Sequence, residues 1–428
     1  MFRPLLAQAC LLLFFCLGQS ADAQTPFTSG SDFQISSNTE DQFDPRSGVD
    51  DDGNFVVVFE KAVYGVPGLD IMGRRFASDG SPIGVDFQIN TFTPSDQVYP
   101  NIAMQPSGEF VVVWQSRYQD GDDFGVFAQR FDSAAVPVGS EMAVNSTTAG
   151  YQGNIDVAYG ADDGFVVIWE HRTGTLSQDD VLGQRYDSAG SPLGGELVLN
   201  TTTASDQNDP RIAVRPDGSF VAAWESLGQD ADGETVMVQL LASDLSPIGA
   251  EIQANVYTTN NQEDPELAVS ADGSFAVVWE SQSQLLSGEE AVGRIFNSDG
   301  TPRSDEIILA TNTALDQENP EVAAAEDGGF VALWRHYSTT DLAFFEVQSQ
   351  RLDSNGLKIG DEFTVNEVSD GDQFHSHIAP MPGGRFIVSW REDAYPCCDG
   401  PRVKGRFVDI PLFADGFESG DTTAWTDR

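Results

Sequence analysis

The sequence predicts an all-β fold, a seven-bladed β-propeller of four-stranded blades, and three observations lead to this prediction. The 428-residue chain repeats one unit of about 55 residues seven times. Within a unit, four short segments rich in apolar residues are separated by turn residues. The chain also begins with one lone strand-like segment and ends on a unit that lacks its fourth. Four strands in a repeat of this length are typical of a propeller blade.

The repeat is fixed by a few positions. A phenylalanine opens one segment of every unit, and four residues later stands Trp in six units and Phe59 in the first. The phenylalanines are Phe55, Phe110, Phe165, Phe220, Phe275, Phe330 and Phe386. Only the last step is longer, by one residue, and we expect the extra residue to lie in a loop within "HYSTTDLAFFEVQSQ".

One unit shows the order of the predicted strands. The segment "RIAV" is followed by a "PDG" turn and "SFVAAWE", and the preceding unit supplies the pattern "VLGQRYD", turn "SAGSPLG", "ELVLN". Segments such as "FVVVW" are apolar at every position, which indicates strands buried on both faces. Sheets packed face to face around an axis would bury them in this way.

The two ends of the repeat region predict a closed ring. The early segment "DFQISS" matches the fourth strand "DFQIN" of the first full unit, whereas the last unit ends after "FIVSWR" and "VKGRFVD". We therefore expect the N-terminal strand to complete the last blade, which leaves no open sheet edge. The predicted division is a signal peptide at 1–23, a linker at 24–31, the propeller at 32–408 and a tail at 409–428.

The recurring strings "FVVVW", "QRFD" and "DQ..P" resemble the propeller-type repeats of secreted bacterial proteins, including surface and adhesin-like proteins. The closing "DGFESGDTTAW", Asp415 to Trp425, resembles a short C-terminal tail of other exported bacterial proteins. The resemblance implies the propeller fold and an extracytoplasmic setting, and it assigns no activity.

The N-terminus and the charge predict the compartment and exclude some partners. Residues 1–23 combine an early Arg3, an apolar stretch and a small-x-small ending, which predicts a signal peptide cleaved before Gln24 and a secreted or periplasmic protein. The apolar stretch is too short to span a bilayer, so we expect no membrane span. The formal charge of -45 disfavours nucleic acid as a partner. We expect a monomer.

The loops that follow the Trp positions differ from blade to blade, which predicts a binding surface on that face. Aromatic side chains in these loops are the candidate ligand-binding residues: Tyr64, Tyr118, Phe124, Tyr337, Phe344, Phe345 and Tyr395. Sequence motifs such as "HExxH" or "GxSxG" are absent. The prediction is a non-catalytic protein that binds a glycan or protein ligand. Two alternatives stay open, a metal-dependent hydrolase or lactonase-like enzyme with its site at the channel mouth, and a structural or adhesive surface component.

A glutamine precedes each innermost strand, near the predicted mouth of the axial channel. The set is Gln42, Gln97, Gln152, Gln207, Gln262, Gln317 and Gln373. Such a ring of amides could hold a cation or polar ligand, but an amide also has the donors and acceptor needed to fasten each loop to backbone. Seven identical copies favour the second, structural interpretation.

Two loops and the last blade contain candidate metal ligands. The carboxylates of "QDGDDFG" and "QDADGE" are candidates for Ca²⁺, although neither string is a complete calcium loop; they are Asp120, Asp122, Asp123, Asp230 and Asp232. In the last blade, strand alternation would put His375 and His377 on one side. The adjacent Cys397 and Cys398 could form a vicinal disulfide, remain thiols or join the histidines around a metal.

Overall fold

The computed structural model describes residues 27–37, 40–62, 68–172, 178–230, 232–285, 288–313, 315–337, 344–367, 371–394 and 400–410. Within these ranges, the strands form seven four-stranded antiparallel sheets. The predicted all-β propeller of seven blades is confirmed.

Each blade uses its four strands in chain order from the axis outwards. The innermost strands are β2 (Gln42–Val49), β6 (Gln97–Met104), β10 (Tyr151–Tyr159), β14 (Gln207–Val214), β18 (Gln262–Val269), β22 (Gln317–Ala324) and β26 (Gly371–Met381). The second strands are β3 (Phe55–Ala62), β7 (Phe110–Arg117), β11 (Phe165–Arg172), β15 (Phe220–Leu227), β19 (Phe275–Gln282), β23 (Phe330–Tyr337) and β27 (Arg385–Ala394).

The two outer positions vary more in length. The third strands are β4 (Leu69–Phe76), β8 (Phe124–Phe131), β12 (Asp179–Tyr186), β16 (Glu234–Leu241), β20 (Glu289–Phe296), β24 (Phe345–Leu352) and β28 (Arg402–Asp409). The outer strands are β5 (Pro82–Gln88), β9 (Pro137–Ala143), β13 (Leu197–Val198), β17 (Pro247–Gln253), β21 (Ile307–Ile308), β25 (Lys358–Thr364) and β1 (Phe27–Gln34).

The ring closes as the sequence predicts. Strand β1 pairs antiparallel with β28, with Phe27 opposite Asp409, and so becomes the outer strand of the seventh blade. It begins at Phe27, inside the segment predicted to be a linker at 24–31. Closure in this way covers the hydrogen-bonding edge of β28 and gives the seventh blade the same four strands as the others.

The hydrophobic core lies between neighbouring blades. The six repeated tryptophans are fully buried, and the first five to six residues of most second strands are buried at every position. One core cluster, for example, joins Val111 and Val113 of β7 to Val157 of β10 and Trp169 of β11. The apolar "FVVVW" segments are therefore buried on both faces, as predicted.

Carboxylates on or beside the outer strands join each blade to its neighbour by hydrogen bonds to backbone. The Glu141 carboxylate of the second blade accepts hydrogen bonds from the Thr91 backbone N–H at 2.6 Å and the Thr91 hydroxyl at 2.8 Å. Carboxylates at the same place in the repeat bind the equivalent backbone; they are Asp86, Glu196, Glu251, Glu306 and Glu362. Asp32 of β1 accepts from the Glu367 N–H at 2.9 Å, so the N-terminal strand joins the same series.

Several predictions fall outside the described residues. These are the signal peptide at 1–23, the side chains of Tyr64 and Tyr395, the cysteines Cys397 and Cys398, and the tail segment Asp415 to Trp425. In the part of the chain that is described, there is no helix that could cross a membrane.

Candidate functional site

Each innermost strand contains a bulge, and at that bulge one residue adopts a left-handed backbone. It stands two residues after the repeated glutamine, with φ between 46° and 52°. We call these seven residues the mouth ring: Asp44, Tyr99, Asn154, Asp209, Asp264, Asn319 and His375. Asp, Asn and His tolerate this conformation better than other residues with side chains, so Tyr99 is the exception.

The mouth ring surrounds a cavity of about 210 Å³ at one end of the propeller axis. All seven of its residues line this cavity. Further lining comes from Arg46, Asn101, Arg211, Glu266 and Glu321, which lie two residues further along their strands. The wall is therefore polar and bears several charges, although the blades that build it repeat closely in sequence.

The deeper residues form a floor of paired side chains. Asn101 Nδ2 donates to Asp156 Oδ1 at 2.8 Å, and Asp156 Oδ2 accepts from the Ile212 N–H at 2.7 Å. Arg211 Nε lies 2.5 Å from Glu266 Oε1. These groups are already hydrogen-bonded to one another across blade boundaries. The mouth-ring side chains are therefore the part of the cavity that can contact a ligand.

The glutamines lie behind this wall. Their side chains are buried, and the contacts of Gln207 are typical: Oε1 accepts from Trp224 Nε1 at 2.9 Å, and Nε2 donates to the Ser205 carbonyl at 3.1 Å. Gln97 makes the same bond to Trp114. Each glutamine thus fastens its own loop to the blade, whereas the residue two positions later reaches the cavity.

Three carboxyl groups converge on the wall formed by the fourth and fifth blades. Oxygens of Asp209, Glu225 and Asp264 all lie within 4.8 Å of one another. Burial, with the nearby carboxylates, raises the pKa of Asp209 to about 6 and that of Glu225 well above its usual range, and it also raises the pKa of Asp264. Oxygens at this spacing could hold a divalent cation or share protons.

Glu225 belongs to a set of glutamates that follow the Trp position and point towards the mouth ring of the next blade. Glu225 Oε1 accepts from the Asp264 N–H at 2.6 Å, and Glu60 Oε1 accepts from the Tyr99 N–H at 2.7 Å. Glu280 makes the same bond to the Asn319 N–H. Burial raises the pKa of Glu280 to about 9. Burial therefore favours the protonated form of each of these glutamates, and Glu280 retains its proton at neutral pH.

The opposite wall is formed by the seventh, first and second blades, because the first blade of a seven-membered ring faces the fourth and fifth. His375 Nδ1 lies 3.1 Å from Asp44 Oδ1. Burial lowers the pKa of His375, and Asp44 opposes that shift. Burial and the Asp44 charge both raise the pKa of Glu60 behind it. Tyr99 stands beside this group with 54% of its surface exposed.

The predicted aromatic candidates do not form one platform. Tyr118, which is 55% exposed, lies with Phe124 on the second blade, where the Arg117 guanidinium stacks on both rings. Tyr337 and Phe345 form an edge-on pair on the sixth blade, with centroids 5.2 Å apart. Phe344 is half-buried beside that pair.

The described residues of the two acidic loops make equivalent hydrogen bonds. Asp120 Oδ1 accepts from the Asp122 N–H at 3.3 Å, and Asp230 Oδ1 accepts from the Asp232 N–H at 3.2 Å. In both loops the later Asp also reaches the backbone of the following blade, at Gly150 and Asn260. Asp123 closes its turn by accepting the Tyr118 N–H at its backbone carbonyl. Ca²⁺ binding by these loops stays a prediction.

The two histidines lie at different depths. The bulge and the left-handed backbone at His375 interrupt strand alternation, so the reasoning that put both imidazoles on one side does not hold locally. His375 lines the mouth, whereas His377 Nδ1 accepts from the Ser47 N–H at 3.2 Å in the floor. A metal bound by this pair stays a prediction.

The mouth ring was missed in the sequence, although a signal was present. The glutamine is the same in every blade, whereas the position that lines the cavity is the one two residues later, which changes among Asp, Asn, Tyr and His. Within a closely repeated strand, a polar position that differs in charge and shape between copies is the sign of an asymmetric site.

Comparisons with known proteins bear on the fold. No family model matches the chain, and no curated protein sequence matches it. Among solved structures, a protein of unknown function from Dyadobacter fermentans DSM 18053 aligns with a TM-score of 0.55 and 10% identity, covering 90% of this chain and 99% of that one. The polysaccharide lyase Uly1 aligns at 0.54 and 8% identity, covering 90% and 100%. The α-L-arabinanase of Penicillium chrysogenum, solved with arabinobiose, aligns at 0.50 and 12% identity, covering 90% and 99%.

These comparisons contradict one prediction from the sequence. We expected a non-catalytic binding protein that uses the divergent loops, but the propellers that share its architecture include enzymes that act on glycans. The axial cavity is also lined by ionisable side chains from several blades, among them Asp44, Asp209 and His375. At these identities the likeness shows a shared fold alone, and the count of seven blades comes from the sheets of this chain.

Proposed function

We propose that the protein is a glycoside hydrolase that cleaves a neutral polysaccharide in the axial cavity. The observation that carries the proposal is the division of the mouth ring into two walls. One wall holds carboxyl groups that burial keeps protonated up to or beyond about pH 6, and the other holds Asp44 beside His375. Hydrolysis of a glycosidic bond requires a carboxylic acid on one side of the bond and a carboxylate on the other.

Asp209 is the proposed general acid. It lines the cavity, and its pKa of about 6 lets it donate a proton near neutral pH. The proton passes to the glycosidic oxygen as the bond to the sugar carbon breaks. Burial favours the protonated form of Asp209, and the negative charge of Asp264 close by also opposes its ionisation.

Asp44 is the proposed carboxylate on the other side of the bond. It acts on the anomeric carbon either directly or by taking a proton from the attacking water, which completes hydrolysis without another reactant. His375 is a positioning residue, since its Nδ1 lies 3.1 Å from Asp44 Oδ1 at the cavity wall. Tyr99 offers an exposed aromatic face on which a sugar ring can stack.

A neutral substrate fits the charges of the cavity better than an anionic one. Three mouth-ring residues are aspartates, and the chain has a formal charge of -45. Arg211 is already committed to Glu266, and Arg46 lies 3.7 Å from Glu321. The arginines therefore have little capacity to neutralise a uronate, which is the task a polysaccharide lyase must perform.

The test is a panel of polysaccharides incubated with the full chain. The panel contains neutral polymers, such as arabinan, xylan and mixed-linkage glucan, and anionic polymers, such as pectate and alginate. We expect new reducing ends from at least one neutral polymer, with loss of that activity in Asp209→Asn and Asp44→Asn. Asp122→Asn, in an exposed loop, is the matched control and should keep full activity.

The outcomes separate the reaction classes. Unsaturated products with ultraviolet absorbance from an anionic polymer would replace hydrolysis with elimination. No product from any polymer, or activity that survives both aspartate substitutions, would overturn the proposed function.

A further inference from the structure

We propose that a strip of aromatic side chains along the border of the second and third blades binds sugar units of a polysaccharide beyond the bond that is cleaved. The strip consists of Tyr99, Tyr151, Phe124 and Tyr118. It rests on the proposed function for the identity of the ligand, and it makes that ligand a polymer instead of a short sugar.

The strip lies where the sequence departs from the repeat at three positions. In five other blades the residue before the glutamine is an aspartate and in one it is Asn261, but in the third blade it is Tyr151. The residue after the glutamine is Gly153, and a Cβ at this position would collide with the phenol of Tyr151. Tyr99 in the second blade is the one mouth-ring residue that is not Asp, Asn or His. Three departures thus create space for, and supply, aromatic rings at one border.

The rings follow one another from the cavity outwards. Tyr99 lines the cavity, and Tyr151 lies in the next blade on β10, three residues before Asn154 of the same cavity wall. The ring of Tyr151 packs edge-on against Phe124 with centroids 6.2 Å apart. Beyond Phe124 comes Tyr118, joined to it through the Arg117 guanidinium.

Arginines fix the outer rings in place. The Arg117 guanidinium lies 4.8 Å from the Tyr118 centroid and 5.7 Å from that of Phe124. Arg172 lies 5.5 Å from the centroid of Tyr151. Stacking of this kind covers one face of a ring and holds the other in a defined orientation, which suits a platform for a planar or gently puckered sugar.

Two members of the strip are held in a backbone conformation that tyrosine disfavours. Tyr99 has φ 52° and Tyr118 has φ 63°, and both are more than half exposed. The turn at Tyr118 recurs in the fourth and fifth blades, closed by the same backbone hydrogen bond, and there the left-handed residue is Gly228 or Ser283. A bulky residue kept at a strained, exposed position where smaller ones serve elsewhere indicates a role outside folding.

The experiment exploits these equivalent turns. Tyr118→Gly places in the second blade the residue that the fourth blade already uses, and Tyr118→Phe keeps the ring. Affinity electrophoresis in gels that contain each neutral polymer measures binding with no requirement for cleavage. We expect the wild type and Tyr118→Phe to be retarded by the same polymer, and Tyr118→Gly to bind roughly three- to tenfold more weakly.

A second measurement distinguishes a platform from a merely structural residue. Tyr118→Gly should unfold at the same or a higher temperature than the wild type, because the strain is relieved. On the polymer that is cleaved, its kcat/KM should fall by the same roughly three- to tenfold factor, with less than about a twofold change on the shortest oligosaccharide that is cleaved. Ser283→Gly, the same change at the equivalent turn of the fifth blade, is the matched control and should bind the polymer normally.

The failure of this proposal differs from that of the proposed function. Retardation of the wild type with no cleavage of any polymer would overturn the hydrolase and leave the strip supported. Cleavage that is equally fast in Tyr118→Gly, with unchanged retardation, would overturn the strip and leave the hydrolase. An absence of retardation for the wild type in every gel also overturns the strip.

Discussion

Two positions of the innermost strand, only two residues apart, have opposite roles. The glutamine is the same in all seven blades, is buried and binds backbone or a tryptophan indole, whereas the mouth-ring residue differs between blades and lines the cavity. Uniformity therefore marks the part of the repeat that every blade needs for folding. Variation at the left-handed position next to it gives a ring of seven similar blades two chemically different walls.

The largest effect should come from the variable position. Asp209→Asn removes the proton donor while leaving the cavity shape intact, so kcat/KM on the cleaved polymer should fall by about 10²- to 10⁴-fold. The wild-type kcat/KM should also fall as pH rises through about 6, because the donor must be protonated. A pH profile that is flat across this range would remove Asp209 from the mechanism.

The uniform position should affect stability instead. Gln207→Ala leaves the Trp224 indole N–H and the Ser205 carbonyl without their partner in a buried site, which should lower the free energy of unfolding by about 1–3 kcal/mol. Denaturant unfolding measures this, and kcat/KM under native conditions should be unchanged. Loss of activity at unchanged stability would show that the glutamine ring belongs to the site after all.

A third substitution tests one of the glutamates that follow the Trp position and accept a hydrogen bond from the mouth ring of the next blade. Glu280 has its pKa raised to about 9 from an ordinary 4.5, so its contribution favours folding at low pH and is lost as pH rises through that interval. In the second blade the equivalent residue is Gln115, buried in the same place.

Glu280→Gln should therefore stabilise the protein increasingly with pH, by on the order of 1 kcal/mol at the alkaline end. Thermal unfolding at several pH values measures the difference, with little change expected near pH 4.5. A gain that is the same at every pH would mean that ionisation of Glu280 does not limit stability.

The smallest effect concerns the exception in the mouth ring. Tyr99→Asn restores the kind of residue found at Asn154 and Asn319, and the relief of a left-handed tyrosine should roughly balance the packing that the ring loses. We expect the free energy of unfolding to stay within about 0.5 kcal/mol of the wild type, and KM to rise. A large loss of stability would make Tyr99 a structural residue.

The fold could be predicted from the sequence because its evidence is repeated seven times. The regular spacing of positions such as Phe110 and Trp114 and the fully apolar strands indicate a propeller. The matching ends at β1 and β28 indicate that its ring is closed. The site could not, since left-handed bulges do not follow from strand alternation. That rule placed His375 and His377 together, and only the backbone at His375 shows why they separate.

The prediction of a binding surface on the divergent loops overlooked the axial cavity for a related reason. Loop diversity after the Trp positions is visible in the sequence, but the raised pKa of Glu225 arises from burial beside Asp209 of its own blade and Asp264 of the next blade, 16 and 39 residues away. Convergence of this kind is a property of the closed ring.

The N-terminal strand has a consequence for how the protein can reach its native state. Arg406 donates to the Gly30 carbonyl at 3.0 Å, across 376 residues of chain. Contacts of such separation form late, because the entropy of closing so long a loop must be overcome before they stabilise anything. Strand β1 is synthesised long before β28 and lacks this partner until β28 exists, so each molecule depends during biogenesis on keeping the hydrogen-bonding edges of β1 away from other chains.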